Sequence, residues 1–239
     1  MTLGANFQPL YKQVYSLLTQ RLVDGDWKPS EPLPSEIALA NELGVSQGTV
    51  RKALNQMVAE KLLARRQGKG TFVAEHTQED SLFRFFRIRE PNGESLIPVT
   101  QVLSVKRRQA SDEEASHLQQ ENGSIVVEMV RLSKLHDQAT ILETVIQPLA
   151  VFPDIDKETE LPNSLYTLYQ EKYGISIVSV RDELKAVALP ETQAKHLGLA
   201  TGAPVLMIER ASINIDGRVV EWSRAYCSSE NFVYLVNLN

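Results

Sequence analysis

Between Ser35 and Ser46 the chain has almost no choice of fold. Ser35 is a favoured helix N-cap, Glu36 puts an acid in the first turn, and Gly44 suits a left-handed helix end. Only Val45 separates that end from Ser46, a second N-cap. Two short helices joined this tightly form the helix-turn-helix pattern. On the second of them Val50, Leu54, Met57 and Val58 recur at helical spacing and give one apolar face; Ile37, Ala40 and Leu43 are expected to face inward from the first. An earlier helix begins after Pro9, carries Leu10, Val14, Leu17, Leu18 and Leu22, and stops at Asp24-Gly25-Asp26. Off the apolar face lie Gln47, Thr49, Arg51, Lys52 and Asn55. A polar first turn of this kind offers free N–H groups, hydroxyls and an amide to whatever sits opposite. By itself it also fits an ordinary solvated helix face.

The segment after the third helix decides between the two. The stretch LLARRQGKGTFVA reads as a strand over 62–66 and a return strand over 71–74, with Gln67-Gly68-Lys69-Gly70 at the tip. Glycines there permit positive φ and close backbone approach to a partner. GKGT lacks the GxxxxGK[ST] spacing of a nucleotide-binding loop and sits in a hairpin, so a phosphate loop is set aside. A basic hairpin after a helix-turn-helix is a wing. The net charge of −5 argues at first against a polyanionic partner, but residues 1–76 carry 9 basic and 7 acidic side chains, while 77–239 carry 16 and 23. A basic patch on an otherwise acidic body binds a polyanion on one face only. The oily side of the helix therefore packs inward, and Ser46 to Lys52 point to a DNA major groove.

Composition narrows the rest. The 239 residues suffice for one large domain or two small ones, and 43% apolar with 23% charged content is ordinary for a globular protein. No apolar run nears the roughly 18 residues of a membrane span, and the N-terminus lacks a signal-peptide pattern, so a cytoplasmic location is expected. The single Cys227 and the scattered His76, His117, His136 and His196 give no support for a metal, and no cofactor is expected.

The run from Pro9 to Val73 resembles the winged-helix domain of GntR regulators along its full length; LPSE, LGVS, TVRKAL and RRQGKGTFV fall in order at the family spacing. The resemblance implies DNA contacts from Ser35, Glu36, Ser46, Gln47, Thr49, Arg51, Lys52, Arg65, Arg66, Gly68, Lys69, Gly70 and Thr71. One departure is Gln47, where such proteins often carry Arg.

Residues 76–82 read as a polar linker between a DNA-binding domain at 1–75 and a second domain at 83–239. That second domain repeats itself. Ala115, His117, Leu118, Gly123, Arg131, Ser133 and Asp137 recur 79 positions later as Ala194, His196, Leu197, Gly202, Arg210, Ser212 and Asp216, and a one-residue gap then aligns Glu143 with Glu221. Each copy reads helix, turn, strand, tight turn, strand, with Ser111 and Glu114 as a capping box in the first. Between them SLYTLYQEKYG reads as a short helix ended by Gly174, followed by a strand over 175–187. The expected fold class is α+β: a winged helix-turn-helix domain, then a mostly antiparallel sheet with helices on one face. Arg131 and Glu143 in one copy, and Arg210 and Glu221 in the other, either pair with each other or in part face a ligand, and Tyr166 is either core or ligand-facing. His117 and His196 are expected to be structural, and Phe72 and Trp222 to pack.

The pieces VRLSKL, LETVIQP, SLYTLYQEKYGI, LGLATGAPVLMIERAS and VVEWSRAYC resemble the UTRA effector-binding domain of the HutC branch of that family, whose fold resembles chorismate lyase. The resemblance implies a pocket built from Arg131, Ser133, Glu143, Ser164, Tyr166, Glu221 and Arg224, a small polar or anionic effector, a homodimer, and a near-palindromic site on double-stranded DNA. Ser133 stands where phosphosugar-sensing members often carry a second Arg, and the last strand ends Cys227-Ser-Ser-Glu-Asn without the Arg often seen there. Each lost guanidinium removes a bidentate phosphate fork. A metabolite-responsive regulator, usually a repressor, is the expected function. No Ser/His/Asp or Cys/His set supports an enzyme. A winged-helix protein without an effector is the other alternative, and a ligand-induced melting shift separates it from the first. A bidentate amide prefers the N6 and N7 edge of adenine, and Arg prefers guanine. Gln47→Arg should therefore shift the consensus selected from random DNA toward guanine at one symmetric position per half-site; an unchanged consensus would show that Gln47 touches no base.

Overall fold

The computed structural model describes residues 8–75 and 77–236, and the side chains at 78, 80, 82 and 83 are left out of the description. His76 and the first seven residues lie outside it. The head consists of α1 (Leu10–Val23), α2 (Glu36–Leu43), α3 (Gln47–Ala59) and the antiparallel hairpin β1 (Leu63–Arg66) and β2 (Gly70–Val73). Its helix-turn-helix is built as the sequence dictates. Ser35 Oγ accepts from the Ala38 N–H at 3.1 Å, Gly44 takes φ 65°, and Ser46 Oγ accepts from the Thr49 N–H at 3.1 Å. Val14, Leu18, Leu39, Val50, Leu54 and Met57 fill the core between the three helices. Two residues expected on the apolar faces are outside it: Leu10 is 51% and Ile37 60% exposed. Leu10 opens α1 a full turn before Val14. On α2 the buried stripe is Leu39, Ala40 and Leu43, and Ile37 falls to one side of it.

The expected polar linker contains the start of a helix, α4 (Gln78–Phe85). Beyond it β3 (Ile88–Arg89) pairs with β10 (Val233–Tyr234), so the end of the described chain returns to the start of the second domain. The main sheet holds β4 (Val99–Gln109), β5 (Ile125–Leu135), β6 (Gln138–Pro148), β7 (Ile177–Ala188), β8 (Pro204–Asn214) and β9 (Val219–Cys227), with α5 (Asp112–Leu118), α6 (Leu165–Tyr173) and α7 (Glu191–Leu197) as its helices. The strand order β4-β5-β6-β9-β8-β7, all antiparallel, is palindromic in the repeat. Each copy is strand, helix, hairpin, and the copies meet where β6 lies beside β9. Ser111 and Glu114 form the reciprocal capping box of α5, and Arg108 forks onto Glu114 at 2.6 and 2.7 Å.

Two expectations are corrected here. Helices cover both faces of the sheet, because two separate apolar layers exist. On one side Leu118 of α5 packs with Val126, Ile146 and Trp222, and Ala194 and Leu197 of α7 pack with Leu132 and Leu142. On the other, Tyr166 and Tyr169 of α6 and Phe85 of α4 pack with Val127, Met129 and Val145. The alignment of the hairpins also changes. Arg131 pairs with Glu143 and Arg210 with Ser223, so the register counterpart of Glu143 is Ser223; Glu221 stands opposite Ser212. The turn joining β8 to β9 is longer than the one joining β5 to β6, the reverse of the gap that sequence matching places there. His117 stacks flat on Trp222 at 4.7 Å, a packing role for both. Among the described residues no helix is long and apolar enough to cross a membrane.

Candidate functional site

On the head, Glu36 gathers the polar side chains around it. Its Oε2 accepts from Arg51 Nε at 2.8 Å and Gln47 Nε2 at 3.2 Å, and its Oε1 accepts from Arg65 of the wing at 3.3 Å. Residues from α2, α3 and β1 are thus brought into one exposed cluster, with Arg51 54% and Arg65 45% exposed at the side chain. Exposed ion pairs of this kind hold by about 0–1 kcal/mol, so a base or phosphate can displace them cheaply. Ser35 and Ser46 use their hydroxyls as caps, and Ser46 also bonds Thr49 Oγ1 at 2.8 Å. Lys52 leans the other way, with Nζ 4.0 Å over the Tyr11 ring. Arg66 lies 4.5 Å over Phe72 and donates to Ser30 Oγ. The wing tip exposes Lys69 between Gly68 at φ 69° and Gly70 at φ 116°, conformations that a Cβ would strain. Thr71 is half-buried and pairs with Arg65 across the hairpin.

The second domain holds a half-open cavity of about 120 Å³ between the sheet and the helices α4 and α6. Six of the seven expected effector residues line it: Arg131, Ser133, Glu143, Ser164, Tyr166 and Glu221. Arg224 does not. Side chains alternate along β9, so Glu221, Ser223, Ala225 and Cys227 face the cavity while Arg224 faces away. It lies over Trp222 and pairs with Glu209 and Glu113, both at 2.6 Å. Counting parity from Glu221 would have excluded it. Arg210, the repeat of Arg131 and not among the expected effector residues, does line the cavity, as do Arg87, Thr100 and Tyr234. Its guanidinium forks onto Asp182 with both contacts at 2.7 Å, and Tyr234 donates to the same carboxylate. Burial opposes the charge of Arg210, yet the Asp182 fork holds its pKa well above the ordinary arginine value. The neighbouring strand β7 gave no sequence signal for Asp182.

Arg131 sits where cation and helix end meet. Its NH2 donates to the carbonyls of Asn163 at 2.6 Å and Pro162 at 3.1 Å, fixing the loop that leads into α6. Glu143 lies 3.7 Å from NH1, and the buried Nε has no partner among the described residues. Ser164, the N-cap of α6, makes no side-chain capping bond, and the first turn holds no acid. An unpaired guanidinium N–H, an uncommitted hydroxyl and a helix N-terminus suit a negative group. Ser133 is bonded to Thr100 Oγ1 at 2.9 Å, a neutral pair in place of a second guanidinium.

Glu221 is buried behind this wall. Ser212 Oγ donates to it at 2.8 Å, Tyr169 donates to its other oxygen, and the hydroxyls of Tyr166 and Ser212 bond at 2.8 Å. Burial raises its pKa, and Glu143 adds to the rise, against the donors that favour the anion. A carboxyl with a raised pKa holds in the folded state a proton that it releases on unfolding, so stability falls as pH climbs from the ordinary carboxylate value of 4.5. Glu221→Gln removes that slope. Its melting temperature should gain on the wild type as pH rises from 4.5 to neutrality; a difference flat across that window would show Glu221 ionised throughout.

The comparisons with known proteins agree with both halves. Residues 10–73 match the bacterial regulatory proteins of the gntR family, and residues 93–233 match the UTRA domain. The HTH-type transcriptional repressor NagR of Bacillus subtilis is 27% identical over 228 residues, 95% of this chain and 93% of that protein. The mannosyl-D-glycerate transport/metabolism system repressor MngR of Escherichia coli is 28% identical over 228 residues, 95% of each. A ligand-binding domain of the same family from Bordetella bronchiseptica superposes with a TM-score of 0.60 at 26% identity, covering 65% of this chain and 98% of its own. A winged helix with a clustered polar face, followed by a pseudo-symmetric sheet over a polar cavity, is therefore the architecture of a known class: this chain belongs to the GntR family of DNA-binding transcriptional regulators, with a UTRA effector-binding domain, and not to an enzyme family.

Proposed function

We propose that this chain is a repressor that acts as a homodimer on a near-palindromic DNA site and is released when a compact metabolite with a single acidic group enters the cavity. The observation that carries the effector class is the Arg131 corner: a buried Nε without a partner among the described residues, beside Ser164, an N-cap whose side chain makes no capping bond. Glu143, with 28% of its side chain exposed, suits the hydroxyls or amine of the same molecule. Ser133, tied to Thr100, leaves the corner one guanidinium short of a phosphate clamp. The Escherichia coli relative is named for a system handling mannosyl-D-glycerate, a sugar that carries one carboxylate, and this supports the reading. On the head, Gln47, Arg51 and Arg65 read and hold the duplex, with Lys69 and Arg66 on the backbone. One such head buries too little for high specificity, so two heads related by a two-fold axis read inverted half-sites.

A ligand switches the heads only if it binds one of their arrangements better than the other. A melting-shift screen of small carboxylates and phosphosugars, followed by DNA binding with each hit, tests this directly. At one hundred times its Kd an effector should stabilise the fold by about 2.7 kcal/mol. Arg131→Ala should lose both that shift and the release of DNA while retaining operator affinity, since Arg131 lies outside the head. A normal response from Arg131→Ala would move the pocket elsewhere, and a phosphosugar inducer would overturn the reading of Ser133.

A further inference from the structure

Residues 74–92 fall between the two matched domains, and α4 lies within them. Arg84 in its last turn donates one N–H to the backbone carbonyl of Glu60 at 3.3 Å and another to the carbonyl of Val178. Glu60 is the C-cap of α3, the helix whose N-terminal half carries Gln47 and Arg51. The last turn of α3 contains no basic residue, so its negative end takes its cation from Arg84. Val178 belongs to β7 of the effector sheet. One guanidinium thus bolts the far end of the recognition helix to the second domain.

The next residue, Phe85, reaches the cavity. It is 4% exposed and meets Tyr166 edge-on at 5.2 Å. The Arg84 guanidinium rests 4.8 Å over that same ring. A second link runs in parallel: one turn beyond Tyr166, Gln170 donates to the carbonyl of Ala74, where the wing ends, at 3.2 Å. Both links start from helices that wall the cavity and end on backbone carbonyls of the head.

We infer that Arg84 is the positioning residue through which the state of the cavity reaches the recognition helix, Phe85 being the wall element that moves it. This rests on the effector reading of the cavity. A ligand that displaces Phe85, directly or by moving Tyr166 against it, shifts the ring under the guanidinium, and the bond to Glu60 goes with it. Neutral packing alone would not couple the two ends. A cation shared between a helix terminus and an aromatic wall does, because each contact sets the guanidinium position that the other requires.

Hydrogen exchange of the full-length protein, read by mass spectrometry over residues 56–62, tests the coupling without any effector. Arg84→Ala should speed exchange there roughly fivefold, about the factor a helix-terminus charge is worth, and Arg84→Lys should restore part of the protection. Phe85→Leu, at a residue packed in the apolar cluster of the effector domain, should speed the same segment in the wild-type background and have no further effect beside Arg84→Ala. Should Phe85→Leu fail to melt cooperatively, Phe85→Met takes its place. Unchanged exchange at 56–62 in a folded Phe85 variant, or an equal effect with and without Arg84, overturns the inference. Either result leaves the effector reading intact, since the metabolite screen judges that separately.

Discussion

The seam between β6 and β9 is the constraint on which the effector domain depends. Each repeat copy supplies one sheet half, and the halves join through the register Ile141 with Cys227 to Ile146 with Trp222. A slip by one residue would turn every side chain of one half to the wrong face. Glu143 opposes Ala225 across this seam, and the cavity is floored by residues of both strands. Small Ala225 and Ser223 beside Glu143 leave the room that a larger pair would fill. The space for a ligand is thus a product of strand pairing, and the helices only roof it.

Charges around that space are nearly all answered by partners from other elements. Arg210 is matched by Asp182 and Arg131 by two carbonyls and Glu143, while the buried carboxyl of Glu221 takes bonds from Tyr169 and Ser212. Buried charges are tolerated only when held in this way. A ligand entering here therefore meets a preformed arrangement, and its own charge decides how well it fits beside the donors left over among the described residues, the Arg131 Nε and the hydroxyls of Ser81 and Ser164.

The head was legible in the sequence because its signals are local. Ser35, Gly44 and Ser46 fix helix ends through bonds spanning three or four residues, and each bond is present. The effector domain was legible in outline through its repeat. Its errors share one cause: they concern which face a side chain takes, and facing depends on strand register and on partners far along the chain. Arg224 sits one step off the parity of Glu221. Glu143 and Glu221 look like copies, yet Glu143 matches Ser223 once the longer second turn is counted. Asp182 gains its role only from Arg210 across a strand pair. The polar composition of 76–82 hid α4, whose place is set by the aromatic wall it completes.

The Glu36 cluster has a consequence for how the head would travel on DNA. Two arginines share one carboxylate, so the face meets random phosphates with less positive charge than its sequence suggests. On the proposed DNA-binding reading, fewer counterions are displaced in a loose encounter, and affinity for arbitrary duplex is less sensitive to salt than an unpaired basic face would make it. On the proposed reading, the arginines swing from the carboxylate to the duplex where base and phosphate together outweigh the acid, and the attraction is greatest there. On the same reading, an acid at the centre of a basic surface works as a threshold, shortening the dwell time on wrong sequences and quickening the search.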